Sequence, residues 1–372
     1  MKVLFIGYYK ENSGWGYATR NWILALDKVG IDIVPRCIRI SNDNAQLPQR
    51  IIELERKDTK NCDIVIQKLL PHHMCYDGHF SRNIASFLLE SSTCKYSSWP
   101  SFANMMDEIW VPCPDNKRAC LNSNIYKPIY IIPETYDDTK FELGYEPLDI
   151  PFLRNKFVFY FIGENTRRKN LAALIQAFHL EFSPAEPVEL LIKSRTPGVP
   201  NEQQSQYLHG NIQEIKKNLK IYQNLNAYKK ECIITDHISD VDIMKIHATA
   251  HCLVMPSCSE GWNIPISEAM AFGNPVIANN CGGMQYQIKN VEGGLLVKNH
   301  KVPCIGALDT LPDLYTSRET WHAIDVADLR IKMRNVYEDK ELRNKLSKNG
   351  VCNSRIFNYE NVGRMMKERF ET

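Results

Sequence analysis

The sequence predicts an α/β protein with two Rossmann-like, doubly wound domains. Its 372 residues exceed the size of one typical core, so two domains are expected. Both halves follow one plan, in which a short apolar run leads into a glycine-bearing or basic turn and then a helical stretch. The plan starts with KVLFIG at residues 2–7 and again with KFVFYFIG at residues 156–163. A polar stretch with proline and glycine at 140–155 predicts the boundary, which gives domains 1–150 and 151–356.

The composition is that of an ordinary globular protein. Hydrophobic residues make up 44%, charged residues 24%, and the formal net charge is +2. That charge argues against a strongly basic nucleic-acid footprint. The apolar run at the start is too short for a secretory signal, and no apolar stretch is long enough for a transmembrane segment. The twelve cysteines show no C-x-x-C pattern, so we expect reduced thiols and a cytoplasmic location.

The first half shows short apolar runs of strand length, each bounded by turn residues. A glycine-bearing loop, Tyr8–Gly16, joins the first strand to a helix that extends to about Val29. Gly14 and Gly16 would let the backbone approach a ligand at the helix N-terminus. The loop is not a dinucleotide fingerprint, because the third glycine of G-x-G-x-x-G would fall at Thr19. The predicted strands are residues 2–7, 31–35, 63–66, 84–89 and 128–132.

The second half places cations at a helix start. TRRKN follows the strand at 156–163 and precedes a helix that begins near Leu171. Arg168 with its guanidinium fork, and Lys169 as a point charge, could neutralise a diphosphate there. The alternative is a solvated basic turn. Lys193 ends the next strand at the same sheet edge, where it would either contact phosphate or be solvated.

Two further patterns resemble metal motifs, but we predict no metal site. Asp240 and Asp242 mimic D-x-D, yet they lie at a helix start, where acidic residues favour the helix dipole. His247 and His251 are four residues apart, but they lack the glutamate of H-E-x-x-H, and the helix is expected to end near His251.

Residues 250–282 predict one crossover of a parallel sheet. A strand at Cys252–Met255 leads into a polar turn that ends at Asn263. Pro265 suits the first turn of a helix, and Gly273 suits its left-handed cap. A second strand follows at 275–278. The turn therefore lies at the carboxyl edge of the sheet, where open α/β sheets bind ligands.

Two carboxylates flank this predicted helix start. Glu260 lies in the turn and Glu268 about one helical turn inside the helix, so both could face one cleft. The helix N-terminus between them offers free N–H groups and a positive dipole end, which suits a diphosphate. Carboxylates accept hydrogen bonds from vicinal hydroxyls, so the arrangement suits a nucleotide-sugar. The alternative is two solvated surface carboxylates.

Three segments carry a family resemblance. SEGWNIPISEAMAFGNPVIA resembles the E-x7-E signature of retaining, nucleotide-sugar-dependent glycosyltransferases of the GT-B fold (glycosyltransferase family 4-like, group 1). TRRKN resembles the RKN or RKG motif of that family, and SGWGYATRNWILAL resembles its SG-x-G loop. The resemblance implies two Rossmann-like domains that face a cleft, with a final helix at 357–372 that packs back on the first domain.

The resemblance also implies a reaction and its residues. A sugar would pass from a nucleotide-diphosphate sugar, with UDP and GDP the favoured carriers, to an acceptor hydroxyl with retention and without a metal or other cofactor. Arg168 and Lys169 would stabilise the leaving diphosphate, Glu260 would bind the transferred sugar or support the oxocarbenium-like centre, and Glu268 would bind the ribose. The predicted donor-binding residues are Gly14, Gly16, Glu90, Lys193, Gly261, Trp262, Asn263, Ile264 and Glu268.

The sequence also departs from the family pattern. Glu90, expected at the end of a strand, falls about where many relatives place a histidine that contacts the donor sugar, so it either replaces that histidine or serves a structural role. Glu164 stands where many relatives carry an arginine. The insertion at 301–323 is expected to be irregular, and it could form a wall of the cleft.

The acceptor and two alternative functions stay open at this point. The acceptor could be a glycan, a small molecule or a modified nucleic acid, and the loops that would select it, 41–60 and 67–82, match no known pattern. One alternative is a nicotinamide-dependent oxidoreductase. The other is a non-catalytic sugar- or nucleic-acid-binding protein on a transferase fold.

Overall fold

The first half of the chain forms a six-stranded sheet in the order β2-β1-β3-β4-β5-β6. The computed structural model describes residues 1–41, 44–306 and 314–371. All five strand pairs of this sheet are parallel. The strands are β1 Lys2–Gly7, β2 Asp32–Cys37, β3 Ile64–Lys68, β4 Arg82–Ser86, β5 Glu108–Val111 and β6 Ile129–Ile131.

The predicted strands of the first half were incomplete in two places. β5, with the sequence EIWV, was missed, and all four of its residues are buried. The strand predicted at 84–89 is shifted, because β4 ends at Ser86 and the residues after it form a loop. The helices of this half are α1 Gly14–Lys28, α2 Gln49–Glu55, α3 Trp99–Ala103 and α4 Pro114–Asn122.

The second half forms another six-stranded parallel sheet, in the order β12-β11-β10-β7-β8-β9. Its strands are β7 Phe157–Ile162, β8 Val188–Lys193, β9 Cys232–Ile234, β10 Cys252–Met255, β11 Val276–Asn279 and β12 Gly294–Val297. Its helices are α5 Leu171–Glu181, α6 Gln204–Leu219, α7 Asp240–Thr249, α8 Ile264–Phe272, α9 Gly282–Val291, α10 Val326–Glu338 and α11 Lys340–Asn353. The order reverses between β7 and β10, which makes their carboxyl ends a topological switch point.

The insertion in the second half is more regular than predicted. β13 (Asn299–Pro303) and β14 (Thr320–Ile324) pair as an antiparallel ribbon, with Lys301 opposite His322. Residues 307–313, which were part of the predicted irregular segment, lie outside the described residues. The ribbon packs Trp321 against Cys258 and Cys304. It therefore adjoins the turn that carries Glu260.

The last helix, α12 (Tyr359–Phe370), lies against α1 of the first half. Val362, Met366 and Phe370 join the core of that half. The two helices approach closely at Gly363, where a Cβ atom would lie 2.4 Å from the carbonyl oxygen of Ala25. The chain therefore crosses from the first sheet to the second and returns at its end.

The cysteines and the length of the helices were also subjects of prediction. All twelve cysteines are free thiols. Across the described part of the chain, none of the helices is both long and apolar enough to cross a bilayer.

Candidate active site

A cavity of about 590 Å³ lies between the two halves of the chain. This volume is in the range of small-molecule binding sites. Loops that follow β1, β7 and β10 line it, so it opens at the carboxyl edges of both sheets. The cavity wall includes most of the predicted site residues: Gly14, Glu90, Arg168, Lys169, Lys193, Glu260, Trp262, Asn263, Ile264 and Glu268.

Glu260 forms the centre of a buried charge cluster. One carboxylate oxygen, Oε2, lies 2.9 Å from Arg168 Nη1, and Oε1 lies 2.8 Å from Lys169 Nζ. Burial opposes ionisation of Glu260, but the charges of Arg168 and Lys169 outweigh it and lower the pKa of the carboxyl to about 2. The structure thus brings Glu260 together with Arg168 and Lys169, which are adjacent in the sequence and far from Glu260.

Backbone contacts hold the two turns of this cluster together. The amide N–H of Cys258 donates to the carbonyl of Arg168 at 2.7 Å, and Arg168 Nη1 donates to the carbonyl of Ser259 at 2.9 Å. The turn also rests on Gly282, whose φ is +56° and whose Cβ would lie 2.3 Å from the Glu260 carbonyl oxygen. Only glycine fits there, since both the positive φ and the close approach exclude a side chain.

Glu90 joins the cluster from the first half. Its carboxylate lies 3.0 Å from Arg168 Nη1. Burial, opposed by Arg168 and aided by the nearby charge of Glu260, raises the pKa of Glu90. The residue lies in the loop after β4, and Trp321 of the ribbon donates its indole N–H to the Glu90 carbonyl at 2.7 Å. The prediction that Glu90 ends a strand was therefore wrong, although its carboxylate does reach the cluster.

Asn263 is the most unusual residue in the cavity wall. It is the N-cap of α8 in a left-handed conformation, with φ +88° and ψ 85°. Only 6% of it is exposed, and neither Oδ1 nor Nδ2 of its amide has a hydrogen-bond partner within the described chain. An unpaired buried amide is costly, and such groups in native proteins call for an explanation. A polar ligand in the cavity would supply the missing partners.

Glu268, on the second turn of α8, is contacted by two side chains of the first half. Its Oε1 accepts from Tyr17 Oη at 2.9 Å and from Lys140 Nζ at 2.5 Å. Its Oε2 lies 3.9 Å from His247 Nε2. Burial opposes ionisation here too, but Lys140 and His247 lower the pKa of Glu268 to about 2. The carboxylate is thus ionised and held between the two halves.

Three partners of Glu268 were missed as site residues. Tyr17 follows the predicted glycine loop directly, so the SG-x-G match was an available signal. Lys140 lies in the segment that was predicted to be a linker, and no local pattern marks it. His247 was considered only for a metal, whereas its ring is fully buried and its Nδ1 lies 2.6 Å from Tyr160 Oη.

The residues of the two motifs that resemble metal sites are held by contacts within the protein. His251 lies outside α7, and its Nδ1 accepts from the Val158 amide. Over the described ranges, no three or more His, Cys, Asp or Glu side chains are grouped so as to hold a metal ion. Asp240 and Asp242 occupy the first turn of α7, where Ser239 is the N-cap.

The remaining predicted donor-binding residues differ in how they meet the cavity. Lys193 is half-buried at the end of β8, and burial lowers its pKa. Trp262 donates its indole N–H to Ser267 and packs on Phe357, so its ring belongs to the core of the second half. Gly16 and Gly261 are outside the cavity wall, and both are sites of close packing. A Cβ would lie 2.0 Å from the Glu11 carbonyl oxygen at Gly16, and 2.7 Å from Leu88 Cβ at Gly261.

Comparisons with known proteins agree with this architecture. Residues 149–305 match the model of the family described as "Glycosyl transferases group 1". A D-inositol 3-phosphate glycosyltransferase of Paenarthrobacter aurescens (strain TC1) is 42% identical over 72 residues, which are 19% of this chain and 17% of that protein. This chain thus spans less than a fifth of the first curated relatives it matches.

Solved structures extend the likeness over the whole chain. Sucrose-phosphate synthase from Thermosynechococcus elongatus has a TM-score of 0.67 at 16% identity, covering 100% of this chain and 98% of that one. Anabaena HepE in complex with UDP-glucose has a TM-score of 0.67 at 13% identity, covering 100% and 99%. Two parallel sheets that face a ligand-sized cavity, together with these likenesses, define a protein of the GT-B fold. The resemblance to group 1 glycosyltransferases is confirmed, and residues 149–305 are the segment that matches the family.

Proposed function

We propose that the protein is a retaining glycosyltransferase, which moves a sugar from a nucleotide-diphosphate sugar to an acceptor hydroxyl without a metal ion. One observation carries the proposal above all. Two cations, Arg168 and Lys169, converge on the ionised Glu260 in the same cavity wall as the unpaired amide of Asn263. The two cations suit the diphosphate of a donor, and the carboxylate suits the hydroxyls of its sugar. The amide of Asn263 suits a further polar group of the donor.

The two cations suit the negative charge that develops on the leaving diphosphate. In transfer, the bond between the anomeric carbon and the diphosphate oxygen breaks, and its electron pair leaves with the diphosphate. Arg168 and Lys169, whose side chains are largely buried, would stabilise that charge as preorganised groups. The cations thus supply the charge that a metal would otherwise provide.

Glu260 faces the other fragment of the donor. With a pKa of about 2 it is ionised at neutral pH, so it can accept hydrogen bonds from sugar hydroxyls or support positive charge at the anomeric carbon. The acceptor hydroxyl oxygen then forms its bond on the face from which the diphosphate left, and its proton passes to a diphosphate oxygen, so the configuration is retained. Glu268, on the second turn of α8, would bind the ribose hydroxyls. UDP and GDP remain the favoured carriers, and the UDP-glucose complex of Anabaena HepE supports UDP.

The first experiment is a thermal-shift screen against UDP-, GDP-, ADP-, TDP- and CDP-linked sugars, each with and without EDTA. A donor present at 100 times its dissociation constant stabilises the native state by about 2.7 kcal/mol. We expect one class of donor to raise the melting temperature equally in both conditions. A shift that disappears with EDTA would refute the metal-free mechanism, and no shift with any donor would refute the proposed function.

Three additions sharpen that screen. NADH and a DNA duplex test the oxidoreductase and nucleic-acid-binding alternatives directly. Lys169→Met should reduce the shift, while Lys217→Met, which removes a cation exposed on α6, should not change it. With the identified donor, NMR of the product's anomeric proton should show the donor's configuration, and the opposite anomer would refute retention.

A further inference from the structure

The first-half wall of the cavity also carries polar and aromatic side chains that have no role in the proposed donor site. It is formed by the loop after β1, the start of α1 and the segment after β6, and it includes Asn12, Trp15, Arg20 and Glu134. In the proposed reaction the second half holds the donor, so this wall faces the acceptor. The inference below rests on that proposed function.

Glu134 gives this wall an unsatisfied hydrogen-bond acceptor. The residue is 3% exposed, and its Oε1 accepts from Lys68 Nζ at 2.6 Å. Its other oxygen, Oε2, has no hydrogen-bond partner within the described chain. A buried carboxylate oxygen without a donor is costly, so a donor group on a ligand would be favoured there.

The cation beside Glu134 cannot serve an anionic ligand. Lys68 is 2% exposed and is outside the cavity wall, and its ammonium group lies 3.9 Å from the centre of the Trp22 ring. The paired Glu134 already compensates its charge. Of this pair, Glu134 lines the cavity and Lys68 does not, so the pair contributes an acid and no cation to the wall.

Among the described residues of the first half that line the cavity, Arg20 is the one cation; Lys140, which pairs with Glu268, is outside the lining. Its Nη1 donates to the carbonyls of Tyr9 and Glu11, at 2.9 and 3.0 Å. The charge of Asp240, on the opposite wall, acts on the same guanidinium. Arg20 is thus tied to the glycine loop and faces an acid, so this wall offers no cation cluster for a phosphate.

Trp15 supplies an aromatic surface next to these polar groups. The indole is partly exposed in the cavity wall, and its other contacts include an edge-to-face packing on Tyr8 at 6.1 Å. Sites of this kind combine aromatic surface with a few placed polar groups that fix a ligand's orientation. An aromatic face beside a carboxylate suits a sugar ring, which has an apolar face and hydroxyl donors at its rim.

We propose that the acceptor is an uncharged, hydroxyl-rich molecule, a sugar or glycoside without phosphate, and that Glu134 Oε2 accepts a hydrogen bond from one of its hydroxyls. The curated relatives named for D-inositol 3-phosphate carry a phosphorylated acceptor in their names, so this chain would differ from them in acceptor class. Glu134 is then a specificity residue of the first half, about 120 residues away in sequence from the Glu260 turn.

The test uses matched acceptor pairs with the donor that the thermal screen identifies. The pairs are glucose and glucose 6-phosphate, fructose and fructose 6-phosphate, and myo-inositol and its 3-phosphate, with methyl glucosides as glycosides. We expect transfer to unphosphorylated members, with kcat/KM at least tenfold above that of their phosphorylated partners. A phosphorylated member preferred in any pair, or no transfer to any neutral acceptor of the panel, would overturn the proposal.

Two variants connect the preference to Glu134. Glu134→Gln should raise the KM for the best neutral acceptor at least tenfold and leave the donor dissociation constant unchanged. Because Glu134→Gln leaves Lys68 buried without a counter-charge, the double variant Lys68→Met, Glu134→Gln provides a second test in a neutral core, and the same KM increase is expected. An unchanged acceptor KM in the folded variants would overturn the proposal. If the wild-type protein binds no donor at all, the proposed function has failed instead.

Discussion

Replacement of Glu268 by glutamine tests the assignment of this residue to the donor's ribose. The exchange keeps the size and shape of the side chain and removes its charge. In the free protein Oε1 already accepts from Tyr17 and Lys140, while Oε2 is 3.9 Å from His247, beyond hydrogen-bond distance. Oε2 is therefore the atom that remains for a ribose hydroxyl.

The expected loss of donor affinity corresponds to one hydrogen bond to a charged group. One hydrogen bond to a charged group contributes about 1.5–3 kcal/mol, which corresponds to about a ten- to hundredfold change in dissociation constant. Glutamine retains a neutral acceptor or presents an N–H₂ group instead. We therefore expect Glu268→Gln to weaken donor binding by about tenfold or more, with a smaller change in the rate at saturating donor.

The assay is calorimetric titration of the wild-type protein and the variant with two ligands, the nucleoside diphosphate and its 2′,3′-dideoxy analogue. If Glu268 binds the ribose, the variant should weaken the ribonucleotide and leave the dideoxy analogue almost unaffected. Equal weakening of both ligands would refute the ribose assignment, and Glu268 would then act only through Tyr17 and Lys140. Tyr17→Phe is the matched control, since it removes one of those contacts and keeps the carboxylate.

Three further predictions concern the same cavity. Lys169→Ala should lower kcat by about 10²-fold or more, because losing a cation at the leaving group costs several kcal/mol of the barrier, and steady-state kinetics with unchanged kcat would contradict this. Gly261→Ala should lower kcat/KM, because the added methyl group would press on the first half, whereas Gly78→Ala, at an open position, should have no effect; equal kinetics for the two variants would count against it. The pKa of Glu260 and of Glu268 is about 2 in the folded protein and 4.5 in a free side chain, so the unfolded chain binds more protons and the free energy of unfolding should fall as the pH drops from about 4.5 to 2; urea titrations that give a flat profile over this range would contradict it.

The four central strands of the second sheet, β7, β8, β10 and β11, were predictable because they are buried on both faces. Such strands appear as short continuous apolar runs, as in FVFYFI and CLVM. β5 was missed in the first half for a related reason: EIWV offers only three apolar residues after Glu108, whose carboxylate is held by the Trp110 indole and by Arg369 of α12. No local pattern shows that a helix some 260 residues later makes this acid tolerable in a strand.

The candidate site, like the fold, was predictable from the sequence only in part. Glu260, Arg168 and Lys169 each lie in a local pattern, a strand end followed by a helix start, and the family resemblance assigned them to one site. The environment of Glu268 was not predictable, since Tyr17 and Lys140 reach it from 251 and 128 residues away. Contacts at such separations depend on how the two sheets are placed, and sequence spacing carries no information about that.

The contacts that join the two halves surround the proposed donor site. Asp115 of α4 accepts from the amide of Gly282 at 2.8 Å and so binds the N-terminus of α9, next to the turn of Glu260. On the other side of that turn the ribbon holds the Glu90 loop, and farther along the cavity Glu268 holds Tyr17 and Lys140. A donor that brings ribose hydroxyls to Glu268, or phosphates to Arg168, acts on the same groups that join the halves. If the cavity binds the donor as proposed, donor binding and the relative position of the two halves would be coupled, because one set of charged side chains would serve both.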